Sequence, residues 1–336
     1  MWRGEKHGED SLFSLALPRL RNDPGAPFCE TLPEYRSSAH VTQETRTTDT
    51  AIIAHRTARG LWWASLAIAV AGLAISVLAG ALVPDDAVVI LYLATGALGV
   101  AIARRVPDNA VGWLLIATGL ISALQTLATG IADIVLLEGL GPESLGVYAA
   151  MFSVASWPII TFLPLIPVLL LFPDGRPLSP RWRIALWLSV AGILGTSLGL
   201  LVLDDPDGAE ASRWGMTNPM AIDAEASDTF LAVTFMLVIA TLIAAAWSLL
   251  LRFRRSDATG RQRIKWVVFG GSLAVPLWIV GGALLDETVL GALLAAVALI
   301  LIPMSIAMAI LRYRLYDIDR LISRTVSYVL VAGLLA

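Results

Sequence analysis

The stretch Leu169-Leu170-Leu171-Phe172-Pro173-Asp174-Gly175-Arg176-Pro177-Leu178-Ser179-Pro180-Arg181-Trp182-Arg183 decides the reading of this chain: a long apolar run halts at a proline turn that carries three arginines. The run before it, residues 147–172, suffices as a helix rising about 1.5 Å per residue to cross a hydrocarbon core of about 30 Å. Short loops rich in Lys and Arg stay on the cytoplasmic side of a membrane, so Arg176, Arg181 and Arg183 place this turn inside. Trp182 and Trp187 fall where an interfacial aromatic belt sits.

Composition agrees. Hydrophobic residues make up 57% of the chain and charged residues 15%, against about 25% charged in soluble domains. The single cysteine, Cys29, excludes a disulfide framework and a cysteine-built metal site. His7, His40 and His55 all precede the first long apolar run, so no histidine cluster forms within the membrane. No cofactor and no metal are expected.

Residues 1–60 are polar, balanced in charge and threonine-rich near their end, and read as a disordered cytoplasmic tail. Eight apolar spans follow at 61–83, 87–103, 111–136, 147–172, 184–203, 229–251, 264–285 and 288–311. The chain then passes through 312–324 into a further apolar run, 325–336, about half a span long. The expected fold is therefore all-α: a polytopic membrane bundle of eight complete helices over 61–311, plus the truncated start of another.

Gly72, Ser76 and Gly80 recur every four residues, a small-residue face that lets helix backbones approach closely. Pro158, Pro164 and Pro167 should kink the fourth span. Gly270, Gly271, Pro276 and Pro303 mark either broken helices around a midplane site or ordinary membrane-helix composition. With no inverted repeat in evidence, composition is the favoured reading.

Charge tests the count. Of sixteen Lys and Arg after residue 60, fifteen lie in loops placed inside and only Arg213 lies outside. Acidic residues lean the other way, thirteen outside against five inside. A miscounted span would invert every loop beyond it. The N-terminus is thus expected on the cytoplasmic side of the membrane.

Ionisable groups within spans are costly and mark function. Asp133 is the one acid within a span, near the outer end of the third. It reads either as an interfacial carboxylate reaching headgroups or as a ligand or proton group. Gln125 lies two turns deeper on a similar face, and reads as interhelical glue or as a second ligand group. The preferred ligand site joins Gln125 and Asp133 in one outward-opening cavity.

Phosphate-binding glycine loops, dinucleotide fingerprints and hydrolase motifs do not occur. The basic loop 252–265 reads as a topology determinant in contact with anionic lipid, not as a nucleic-acid site. In 312–324, Leu315, Ile318 and Ile322 lie three and four apart, as in a helix lying on the inner membrane surface. The charges between them, Arg312, Arg314, Asp317, Asp319, Arg320 and Arg324, are the expected signal relay; the bland alternative is a connector.

Four stretches in this order resemble the multi-span membrane region of actinobacterial sensor histidine kinases and related membrane proteins of unassigned function. They are Pro107-Asp108-Asn109-Ala110-Val111-Gly112-Trp113-Leu114-Leu115, Leu171-Phe172-Pro173-Asp174-Gly175-Arg176, Gly260-Arg261-Gln262-Arg263-Ile264-Lys265-Trp266, and Tyr316-Asp317-Ile318-Asp319-Arg320-Leu321-Ile322-Ser323-Arg324-Thr325. The resemblance implies a place in the bacterial inner membrane, as the input module of a two-component system whose spans lead into a cytoplasmic dimerisation and ATP-binding portion; a homodimer and, where a kinase region follows, a response regulator are the candidate partners. This chain departs from the kinases: no histidine follows the first span, and it stops at Ala336 within an apolar run. The expectation is a fragment with a sensory module and no enzymatic activity of its own. A small-solute transporter is the alternative, distinguished by a polar path at mid-depth.

Overall fold

The computed structural model describes residues 34–83, 86, 88–203, 213–215, 218–285 and 288–311. Contacts divide the chain into residues 1–48 and 49–336. Of the first unit only the opening turns of α1 are described; the second is a helix bundle with no strand among the described residues.

The helices are α1 Glu34–Leu78, α2 Val89–Arg105, α3 Ala110–Ala132, α4 Glu143–Phe162, α5 Ile166–Leu171, α6 Trp182–Val202, α7 Ala224–Arg255, α8 Ala258–Ile279 and α9 Val289–Leu311. A π-helical turn, Asp133–Leu137, prolongs α3, and a second, Val280–Leu284, prolongs α8. Seven helical stretches, of 19 to 32 residues, are long and apolar enough to cross a membrane. The chain is an all-α polytopic membrane bundle.

The expected second span is the exception in length. Helix α2 has 17 residues, the short limit for a crossing helix. It still runs between opposite ends of the bundle. Asp86, just before it, meets the loop residue Arg213, and Arg105, its last residue, reaches the final carbonyl of α9 at Leu311.

Two elements depart from the sequence reading. Helix α1 begins at Glu34, well inside the stretch expected to be disordered over 1–60. No proline or glycine interrupts 34–59, and extending an existing helix avoids the cost of a new nucleus. The expected fourth span is two helices, α4 and α5, separated at 163–165. Pro164 and Pro167 offer no backbone donor there, while Pro158 is held inside α4. Helices α8 and α9 run unbroken through Pro276 and Pro303.

Small residues set how closely the helices approach. A Cβ on Gly72 of α1 would stand 2.6 Å from Leu127 N and Thr126 O of α3, and one on Gly99 of α2 would stand 2.5 Å from Gly112 O of α3. The face of α1 that carries Gly72 and the buried Ser76 is thus used within one chain, the close-approach geometry of small-xxx-small contacts. Helix α1 then stops at Gly80, whose φ of 62° suits a residue without Cβ. Ala81 N donates to Ser76 O and Gly80 N to Val77 O, each at 3.0 Å, closing a Schellman turn.

The main core gathers on α5. All six of its residues are buried, and Phe172 after it is wholly buried in one core cluster with Ile102, Val111, Leu115, Ile264 and Ile306 from α2, α3, α8 and α9. A helix apolar on every side belongs at the centre of a bundle. The expected surface helix 312–324, with its relay residues Arg312, Arg314, Asp317, Asp319, Arg320 and Arg324, and the run 325–336 lie outside the described residues.

Candidate functional site

Asp133 opens the π-helical turn at the acid-bearing end of α3 and is 0% exposed. The interfacial exposure that its position suggests is absent because a loop folds over it. Its Oδ2 accepts from Arg213 Nη2 at 2.8 Å, and its Oδ1 accepts from the indole Nε1 of Trp214 at 2.8 Å. Arg213 Nη2 also donates to Ala81 O at 2.6 Å, beyond the end of α1, and Nη1 lies 3.4 Å from Asp86 Oδ1, ahead of α2.

Physical chemistry requires this arrangement. A carboxylate withdrawn from water is tolerated only when a cation and hydrogen-bond donors replace the water it lost. Trp214 is itself buried beside Ala132 and Ala150, so its indole seals the ion pair. The guanidinium stands 5.6 Å from the Trp214 ring centroid, within cation–π reach. One loop thereby clasps the ends of α1, α2 and α3.

Gln125 takes no part in this clasp. Its Nε2 donates to Ser153 O of α4 at 3.0 Å, and the Thr129 hydroxyl, one turn on, meets the Ser153 hydroxyl at 2.7 Å. The two residues of the expected ligand cavity therefore serve separate partners: Gln125 bridges α3 to α4, and Asp133 faces the loop.

A second clasp lies at the arginine-bearing end. Asn109 caps α3 by accepting from Val111 N at 3.0 Å, and its Nδ2 donates to Pro173 O at 2.9 Å. Gly175, with φ 73°, fits against it; a Cβ there would stand 2.6 Å from Asn109 Oδ1. From α7, the buried Arg252 sends Nη2 to Leu170 O and to Arg176 O, both at 2.8 Å. It satisfies one carbonyl at the C-terminus of α5, the end where helix dipoles favour a cation, and one in the turn that follows. Asp257 caps α8 by accepting from Gly260 N at 2.8 Å.

The stretches 107–115 and 171–176 thus interlock through Asn109 and Pro173, and 260–266 places Ile264 in the core that holds Phe172. Sequence reasoning did not find Arg213, Trp214 or Arg252 as structural partners. The signal for Arg213 was present: it is the lone cation among the acid-rich loops.

Among the described residues, no group of three His, Cys, Asp or Glu comes together as a metal site. Asp133 and Arg252 are the two charged side chains buried among them, one at each end of the bundle. No protein family, curated protein or solved structure matches the chain. Fold and site define a multi-pass membrane protein whose helix ends are tied by one polar clasp on each side.

Proposed function

We propose that this bundle is a membrane-embedded sensory module, of the kind that feeds a sensor histidine kinase. In this reading the clasp of Arg213 and Trp214 on Asp133 is the element an external cue opens. The observation that carries it is the tie of one outer loop to three helix ends through a buried ion pair. Releasing a single guanidinium would free α1, α2 and α3 together. The arginine-bearing end faces the cytoplasm, as the loop charges argue, and the second clasp there passes the shift on.

Three buried threonines favour sensing over transport. Thr118, Thr196 and Thr241 each bond a carbonyl of their own helix, at Leu114, Gly192 and Leu237. They are committed to the backbone and offer little to a passing solute.

The test fuses the full chain to the dimerisation and ATP-binding part of a well-behaved histidine kinase. Autophosphorylation is compared between the parent and Arg213→Ala at matched membrane abundance. A several-fold change in output is expected. Identical output from the two fusions sinks the sensory reading.

A further inference from the structure

We propose that the arginine-bearing end holds one anionic phospholipid, its acyl chain in a groove beside the α4–α5 break and its phosphate on Arg183. The groove has a volume of about 320 Å³ and runs between Trp113 of α3 and Trp187 of α6, with Leu163, Pro167 and Val190 among its walls. That volume lies at the low end of small-molecule sites, about 300 to 1,000 Å³. Every lining side chain is apolar, so the groove takes hydrocarbon. Its shape is built in. The break at 163–165 leaves a notch between neighbouring helices, and Trp113 is fixed by its Nε1 donating to Pro107 O at 2.9 Å.

Charge selects the head that goes with this tail. Arg183, Leu186, Trp187 and Val190 lie three, four and seven residues apart and share one stripe of α6. Helical side chains lean toward the N-terminus, so Arg183 extends from the groove toward the polar end, its stem along apolar surface and its charge in the headgroup layer. Arg183 is exposed, Arg181 stands two residues before it, and neither forms an ion pair with a described residue. Both cations sit at a helix N-terminus, where the dipole disfavours positive charge. A phosphate bound there relieves that repulsion, whereas a zwitterionic headgroup brings a further cation to the same rim.

This site stands apart from the sensory reading and is tested without it. The purified full chain is released from detergent into a mass spectrometer under native conditions, after incubation with phosphatidylglycerol or with phosphatidylcholine of identical acyl chains. One phosphatidylglycerol is expected to remain per chain. Arg183→Gln should lower its occupancy roughly fivefold, the loss of one arginine–phosphate attraction at a membrane surface, and leave phosphatidylcholine unchanged. Val190→Phe, which fills the groove, should lower retention of both lipids. Equal retention of the two lipids by the parent protein overturns the proposal. So does a phosphatidylglycerol occupancy that Arg183→Gln does not change, a comparison that stands even where Val190→Phe fails to fold.

Discussion

Arg213 owes its importance to position, not to type. It is the cation that the loop charges leave on the acidic side, and Asp133 is the acid that the spans leave inside. Each stood out in the sequence as an exception, but eighty residues separate them and no periodicity links a helix end to a loop. A buried charge needs an opposite one, and that rule pairs them. Removing one partner of such a pair costs about 3 to 5 kcal/mol, since the other stays buried and uncompensated. Arg213→Ala should therefore lower stability by about that amount in chemical unfolding from mild detergent. Adding Asp133→Asn should recover much of the loss, because the asparagine oxygen still accepts from Trp214. No recovery in the double variant would show that Arg213 matters chiefly through Ala81 and Asp86.

At the scale of elements, the turns carry more structure than their lengths suggest. Asn109 caps one helix and holds the proline turn that ends another. Asn109→Ala should cost about 1 to 2 kcal/mol, the upper part of the range for a lost cap, read as a lower melting temperature. Gly175→Ala meets both an unfavourable φ and the Asn109 oxygen, and should cost about 1 to 3 kcal/mol. A melting temperature unchanged in both variants would mean that the two turns are not held together. Span positions were legible because apolar length and proline chemistry act locally. The grip of Arg252 on α5 was not, since an arginine after a span reads equally well as a topology signal. The early start of α1 was hidden for a different reason: polar residues of middling propensity join a helix when a stable one adjoins them.

Across the whole molecule, the loop charges proved the most informative feature of the sequence. They separated two sets of helix ends, and each set is joined by its own contacts: Asp86, Asp133 and Arg213 at one, Arg105, Asn109, Pro173, Arg252 and Leu311 at the other. They also kept α2 in the count, which hydropathy over a fixed length omits. Orientation follows as a prediction from the positive-inside rule. In a Cys29→Ser background, Met220→Cys should react with a membrane-impermeant thiol reagent in intact cells, and Thr259→Cys only after permeabilisation. The reverse pattern would turn the molecule over.

The bond from Arg105 to the last carbonyl of α9 ties two helix ends that lie 206 residues apart in the sequence. The ends of α2 and α9 are thereby coupled, so a tilt of α2 would draw the last turn of α9 with it, as a tiller turns a rudder.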